Sequence, residues 1–593
     1  MRAASAEERI AALFRPLDAE FAALCPEGRR VAYTVRDGTE TKIAIVDLDG
    51  HASRRLIGIE PERDTDPAAG PASPSPTPAQ LSFLRWATSE RLVFAHTERV
   101  VPLPPVVDAS GRATSNPSGP TILSPIIAIG ADGKLRRTVA DARDFTESED
   151  ALSTLADMLR TPQELATQRR NPVHWRMPRL SIVGFDPRNR EQLIVEARGA
   201  YSPPTQHAVD LRTGHTALFG GEVSAPPGEP LVYDWSWFKV VGERLPGSRP
   251  RTDWRDANLA NLQRTLEAKF PRRTVELLDW TETRTRVLFR VTGGSDAGRL
   301  FVFQRTEDLA VEVLQRAPWL SLAGLHPTRF VECPAPDGAI LSGYFTWPKD
   351  VRGSAPLVVA MPSGFPGYAQ PAFDPEAQVF ADRGFAVLRL NHRCVGGIEP
   401  KDRAALAVGL DRVAVADAAV AIAALERQQP HRAIDRTRVV ALGRGFGGYL
   451  AVRALQLQPE IFRAGIVIDA PLDLPRWLAT ATTEPLRETI DEVVDRRAIA
   501  RTSLSALDQP ETLRQPLLML TDPTCDPAIA ATAADLHGRL KAHGLPGERG
   551  ELAPGFAAAL PAARASGYRA MMDFVERRLP ASAPSTSLAE ESR

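Results

Sequence analysis

Short apolar segments that alternate with polar residues fill the first half of the chain. Val31–Val35 follows the turn residues Cys25–Arg30, and Lys42–Leu48 forms a second such segment that ends at Asp49-Gly50. Alternation with a period of two is typical of half-buried strands. Similar pairs return at intervals of a few tens of residues, which is typical of β-propeller blades. We therefore predict an all-β propeller over residues 22–325, and the irregular repeats leave the number of blades open.

Some parts of the first half depart from this strand pattern. Helical periodicity occurs at Glu149–Leu159 and Asp256–Phe270. The segment Asp66–Pro78 consists mostly of Pro, Ala, Ser and Thr. Because such a composition buries too little apolar surface to offset its ordering entropy, we expect a disordered insertion there, and likewise a disordered tail over residues 581–593. Residues 1–21 are expected to form a helical extension.

Strands that alternate with amphipathic helices dominate the chain after about residue 326. This pattern is typical of a doubly wound, mostly parallel sheet with helices on both faces. The order of the elements is that of an α/β hydrolase, so we predict such a domain over residues 326–580. Its predicted strands are Pro356–Met361, Phe385–Leu390, Arg438–Leu442, Ala464–Ile468 and Pro516–Thr521, and its predicted helices are Pro375–Asp382, Ala404–Arg427, Gly448–Leu457, Ala528–His543 and Ala563–Arg578.

Composition and charge narrow the classes of partner. The 72 Lys and Arg residues balance 73 Asp and Glu residues. Without long basic runs we expect neither nucleic acid nor an anionic membrane as a partner. Glu7, Glu8 and Arg9 interrupt the segment where a signal peptide needs an apolar stretch, so we expect a cytoplasmic protein. The four cysteines lie far apart without metal-ligand spacing, so we predict no metal and no cofactor.

Several segments of the second domain resemble the catalytic domain of prolyl oligopeptidase family serine peptidases. Asp337-Gly338 followed by Gly343–Pro348 is similar to the start of that domain, and Pro362–Pro366 is similar to its HGGP-type loop. The acylaminoacyl-peptidase and dipeptidyl-peptidase-like bacterial members look most similar. The resemblance implies a propeller followed by an α/β hydrolase, and a Ser/Asp/His triad that cleaves short peptides or acyl-peptides.

The stretch Gly443-Arg444-Gly445-Phe446-Gly447-Gly448 resembles the family's G-x-S-x-G-G nucleophile elbow at a strand-to-helix junction. Gly445 occupies the position of the nucleophile. The flanking glycines Gly443, Gly447 and Gly448 remain, because a sharp turn and a close approach of helix and strand need residues without a Cβ. We therefore expect the turn to persist without the hydroxyl.

The other two triad positions also depart from the family pattern. By the resemblance, Cys525 occupies the acid position after the strand that ends at Thr521, with Asp526 beside it, and a shift of one residue stays open. Ala558 occupies the histidine position, and no histidine follows His543. Hydrolysis in this family requires a hydroxyl, an imidazole that activates it and a carboxylate that orients the imidazole.

Two functions remain open from the sequence. The first is a pseudoenzyme that binds a peptide or protein segment in the interdomain cleft, with a homo-oligomer or pairing with an active paralogue as possible assemblies. The second is an active serine-type peptidase or hydrolase with a rearranged site. The backbone N–H of Phe446 is the candidate oxyanion donor, and Ser363 and Gly364 are expected to border the cleft. His392, which follows a strand, is expected to be a structural imidazole.

Overall fold

A computed structural model of the chain places strands and helices in the order that the sequence predicts. The predicted insertion 66–78, the predicted helix Glu149–Leu159 and the predicted tail 581–593 lie outside the described residues. The structure describes residues 5–37, 40–49, 54–59, 80–99, 122–123, 125–145, 179–198, 204–220, 231–235, 239–245, 247, 249–351, 353–362, 368–393, 395, 409–429, 432–480, 505–557 and 559–580.

Five antiparallel sheets follow one another along the first half of the described chain, in a propeller-like arrangement of five blades. Each sheet is built from strands that are neighbours in sequence, as in a propeller. Blade 1 contains β1 Ala22–Leu24, β2 Arg30–Asp37, β3 Glu40–Asp47 and β4 Arg54–Gly58; blade 2 contains β5 Gln80–Thr88, β6 Arg91–Arg99, β7 Ile122–Leu123, β8 Ile126–Gly130 and β9 Arg137–Ala140; blade 3 contains β10 Arg179–Asp186, β11 Asn189–Arg198, β12 Thr205–Asp210 and β13 Thr216–Leu218; blade 4 contains β14 Leu231–Asp234, β15 Lys239–Leu245 and β16 Arg251–Trp254; blade 5 contains β17 Thr274–Trp280, β18 Arg286–Gly293, β19 Asp296–Gln304 and β20 Leu309–Gln315.

An eight-stranded mixed sheet forms the core of the second half. The order of its strands is β21-β22-β24-β23-β25-β26-β27-β28. The pairs β21–β22 and β22–β24 are antiparallel, and the pairs from β24 to β28 are parallel. The strands are β21 Thr328–Pro334, β22 Ile340–Thr346, β23 Ala355–Met361, β24 Ala386–Asn391, β25 Ile434–Arg444, β26 Ala464–Ile468, β27 Leu517–Thr521 and β28 Gly547–Glu551.

Helices cover both faces of this sheet, which confirms the predicted α/β-hydrolase fold. One apolar cluster joins the sheet to α4, α5 and α7, and a second cluster joins it to α1, α3 and α8. The eight described helices are α1 Ala6–Leu13, α2 Ala257–Lys269, α3 Pro375–Asp382, α4 Leu410–Gln428, α5 Phe446–Leu457, α6 Leu474–Thr480, α7 Pro527–Ala542 and α8 Pro561–Arg578. Helix α2 confirms the helical pattern predicted near residues 256–270.

Helix α1 precedes the propeller in sequence but packs on helices α3 and α8 of the hydrolase domain. Its Arg9 forms an ion pair with Asp382 at 3.0 Å. Just beyond the helix, the Phe14 ring stacks on the Tyr568 ring with centroids 4.8 Å apart. These contacts attach the start of the chain to the second half. Within the described part of the chain, we find no helix with the length and apolar character of a membrane span.

Candidate functional site

The turn between β25 and α5 has the geometry of a nucleophile elbow. Gly445, at its tip, has φ 55° and ψ −128°, and its N–H donates to the Ile468 carbonyl at 2.9 Å. A positive φ is accessible to glycine at little cost, whereas an L side chain is strained there. The backbone therefore holds this position at the carboxyl edge of the sheet, but it presents no side-chain atom to a ligand.

The flanking glycines allow the helix to approach the strand. A Cβ on Gly443 would lie 2.0 Å from the Gly447 carbonyl oxygen, a distance at which the turn could not close. Gly447 and Gly448 have similarly close neighbours, at 2.5 Å and 2.7 Å from a hypothetical Cβ. Phe446 is the first residue of α5, so the predicted oxyanion donor lies at the helix N-terminus, where N–H groups have no acceptor within the helix.

A cleft of about 520 Å³ opens beside Gly445. It lies at the carboxyl ends of β25, β26 and β27, where ligands bind in open α/β sheets. Ser363, Gly364 and Ala558 lie outside the described residues, so the structure does not place them. The described lining consists of Arg444, Gly445, Asp469, Asp522, Thr524, Cys525, Asp526, Ile529 and Ala557.

The two candidates for the acid position both border the cleft. Cys525 is partly buried, and this burial, with the nearby charges of Asp469 and Asp522, raises the pKa of its thiol. The thiol therefore stays protonated near neutral pH, and a protonated thiol is a poor nucleophile. Asp526 is exposed and accepts the Ala528 N–H at 2.8 Å, which makes it the N-cap of α7.

Asp522 is a site residue that the sequence reasoning did not identify. It is 2% exposed, and its Oδ2 accepts the Ala557 N–H at 2.8 Å. Its Oδ1 accepts the N–H and the hydroxyl of Thr524 at 2.9 Å and 2.6 Å. Burial alone would raise the pKa of this carboxyl, but these hydrogen bonds and the charge of Arg444 lower it below its usual value. The sequence did contain a signal for this residue, because Asp522 directly follows an apolar strand and Thr524, which can donate to its carboxylate, comes two residues later.

Arg444, Asp469 and Asp522 together form the polar floor of the cleft. The Arg444 guanidinium lies 3.4 Å from Asp469, and the Asp522 N–H donates to the other oxygen of the same carboxylate at 2.7 Å. Asp469 thereby joins the elbow to the loop after β27. With one arginine against three aspartates, the described lining carries a net negative charge.

Comparisons with known proteins agree with this architecture. The sequence matches none of the curated proteins. Among solved structures, puromycin hydrolase superposes with a TM-score of 0.58 at 14% identity, covering 97% of this chain and 96% of that one. Pyrococcus horikoshii acylaminoacyl peptidase superposes with a TM-score of 0.56 at 15% identity, covering 96% and 89%. An acylaminoacyl peptidase in complex with Z-Gly-Gly-Phe-chloromethyl ketone gives 0.54 at 14% identity, covering 96% and 90%.

These structural likenesses, at such low identity, establish the fold. The family itself comes from the sequence of the second half, where residues 371–577 match the model of the prolyl oligopeptidase family. This match spans the elbow, the loops after β26 and β27, and the polar floor of the cleft. Over residues 371–577, the hydrolase domain is therefore similar in sequence to the prolyl oligopeptidase family.

Proposed function

We propose that this chain is a non-catalytic member of the prolyl oligopeptidase family, which binds a peptide or protein segment in the cleft beside Gly445 without cleaving it. The observation that carries the proposal is the elbow itself. It retains the backbone turn of a nucleophile, with φ 55° at Gly445, and lacks the oxygen that would attack a carbonyl carbon.

The chemistry around Gly445 supports the loss of catalysis. Acyl transfer by this family needs a hydroxyl activated by an imidazole within about 3 Å. The described lining of the cleft includes neither a serine nor a histidine. Its one thiol, on Cys525, has a raised pKa because of burial and neighbouring carboxylates. Its one hydroxyl, on Thr524, donates to the Asp522 carboxylate and not to an imidazole. The pairing of a hydroxyl with an imidazole is therefore missing from the described lining.

The shape of the cleft supports binding. Its volume of about 520 Å³ falls within the range of about 300–1,000 Å³ that is usual for small-molecule and short-peptide sites. Arg444 offers charged donors, the aspartates offer acceptors, and Ile529 offers apolar surface. The structural neighbours suggest probes, because one was solved with a Z-Gly-Gly-Phe derivative and another is named for puromycin.

A labelling experiment tests the loss of catalysis. The purified protein is incubated with a fluorophosphonate probe, and puromycin and Z-Gly-Gly-Phe anilide are offered as substrates. We expect no labelling and no turnover, also for Gly445→Ser, because that variant gains a hydroxyl without a base. Labelling of the wild-type protein that disappears when one particular serine is replaced would establish the rearranged hydrolase instead.

A binding experiment tests the cleft. Calorimetry with puromycin and with Z-Gly-Gly-Phe is carried out on the wild-type protein and on Ile529→Arg, which places a long side chain in the cleft. Leu218→Arg is the matched control, because Leu218 is 75% exposed on the propeller. We expect binding of at least one probe that Ile529→Arg abolishes and Leu218→Arg retains. Equal affinity in all three proteins would place the site elsewhere.

A further inference from the structure

Four loops at the carboxyl edge of the sheet are joined through two aspartates, Asp522 and Asp469. Asp522 follows β27, and its carboxylate accepts the N–H of Ala557 in the loop after β28. Its own N–H donates to Asp469 in the loop after β26, and Asp469 pairs with Arg444 at the elbow. Removal of the Asp522 carboxylate would therefore separate the loop after β28 from the other three on the side that faces the cleft.

The loop after β28 has a second anchor, which is a buried aromatic ring. Phe556 is fully buried, and the Arg564 guanidinium lies 4.2 Å from the centroid of its ring. Gly567 makes room for this ring, since a Cβ there would lie 2.5 Å from it. The next residue, Ala557, has an exposed side chain. Its backbone N–H is thus the group that ties the loop to the cleft floor.

The three donors that face the Asp522 carboxylate explain why this residue is an aspartate. They are the N–H of Ala557, the N–H of Thr524 and the hydroxyl of Thr524. An ionised carboxylate only accepts hydrogen bonds, whereas the amide of an asparagine would turn an NH₂ group toward one of these donors. Replacement by asparagine keeps one acceptor oxygen and loses the other.

We propose that Asp522 is a positioning residue, which fixes residues 553–557 as a wall of the ligand cleft. The carboxylate holds the backbone of this loop directly, through the Ala557 N–H. The use of the cleft for a ligand rests on the proposed function. The hydrogen bond from the Ala557 N–H to the Asp522 carboxylate, here called the clasp, is a property of the ligand-free protein.

Hydrogen exchange of the full-length protein without ligand tests the clasp. The amides of residues 553–557 are followed by mass spectrometry in the wild-type protein, Asp522→Ala and Asp522→Asn. We expect exchange to accelerate about tenfold or more in Asp522→Ala, as for a lost hydrogen bond to a charged group, and less in Asp522→Asn. If Asp522→Ala does not fold, the test uses Asp522→Asn alone. Faster exchange of these amides than in the wild-type protein then supports the proposal, and unchanged exchange contradicts it.

Asp526→Ala is the matched control, because it removes a neighbouring carboxylate that caps α7. It should accelerate exchange at the start of α7 and leave residues 553–557 unchanged. Unchanged exchange of residues 553–557 in both Asp522 variants would overturn the proposal, as would an equal effect of Asp526→Ala.

A ligand measurement separates positioning from general stability. For whichever of puromycin or Z-Gly-Gly-Phe binds the wild-type protein, we expect Asp522→Ala to weaken affinity at least about fivefold and Asp522→Asn to restore part of it, with every protein measured well below its own melting temperature. Unchanged affinity with faster loop exchange would overturn the positioning role. If neither probe binds the wild-type protein, the proposed ligand function fails, while the exchange data still decide the clasp.

Discussion

We predict that His392 makes the stability of the hydrolase domain dependent on pH. The residue follows β24 at the carboxyl edge of the sheet and is 2% exposed. This burial lowers the pKa of the imidazole from its ordinary value of 6.5 to about 4, because the charged form loses its hydration. In the unfolded chain the same imidazole is hydrated and has its ordinary pKa.

The sign and size of the effect follow from linkage. A group whose pKa is lower in the folded state binds protons preferentially in the unfolded state, so acid favours unfolding. The contribution of His392 is fully present above pH 6.5 and is lost as the pH falls toward 4. The shift corresponds to about 3 kcal/mol in total, of which about 2 kcal/mol is lost between pH 7 and pH 5.

Urea unfolding at pH 7 and pH 5 measures this contribution by comparison with His392→Gln, which does not titrate. The substitution changes packing equally at both pH values, so the gap in free energy of unfolding between the two proteins should shrink by about 2 kcal/mol at pH 5. The exposed His543, replaced by Gln, serves as the control. The free energy of unfolding of this variant should change between pH 7 and pH 5 by the same amount as that of the wild-type protein. The same gap between wild type and His392→Gln at both pH values would refute the reasoning.

Two further predictions concern buried charges. Burial and the charge of Asp374 raise the pKa of Glu376, which accepts the Tyr568 hydroxyl at 2.5 Å, to about 7. The ionised carboxylate therefore destabilises the fold increasingly as the pH rises from 4.5 through 7. Between pH 5 and pH 8, Glu376→Gln should gain about 2–3 kcal/mol in free energy of unfolding relative to wild type, as measured by urea unfolding. A constant difference over that range would contradict this. Arg453 pairs with the buried Asp411 at 2.6 Å, so Arg453→Met should cost about 3 kcal/mol of unfolding free energy, and Arg453→Met with Asp411→Leu should recover most of it. A double variant as unstable as the single one would show that the lost ion pair is not the cause.

Five of the eight strands of the hydrolase domain, β23 to β27, could be predicted from the sequence because each contains a run of apolar residues that are buried in the sheet. All five residues of β26 and of β27 are buried, as expected for strands covered on both faces. By contrast, the edge strand β28 Gly547–Glu551 is polar and partly exposed. Its parallel pairing with β27 defines it as a strand, and that pairing is not visible in a local pattern.

The propeller was predictable as a class and not as a blade count. Each hairpin carries its own alternation of apolar and polar residues, which local sequence records. The grouping into five sheets depends on the registers between strands, such as those that pair β10, β11, β12 and β13. Helix α1 shows the same limit, since its packing on α8 joins residues more than five hundred positions apart.

The sequence by itself determined that a glycine stands at the tip of a sharp strand-to-helix turn, because the spacing of Gly443, Gly445 and Gly447 reflects backbone sterics within a few residues. Only the tertiary structure decided which carboxylate faces the loop after β28. Asp522 meets Ala557 because β27 and β28 pair in parallel and bring their carboxyl ends together. Hydrogen bonds act over about 3 Å in space, whereas a sequence pattern reports burial only along a single element.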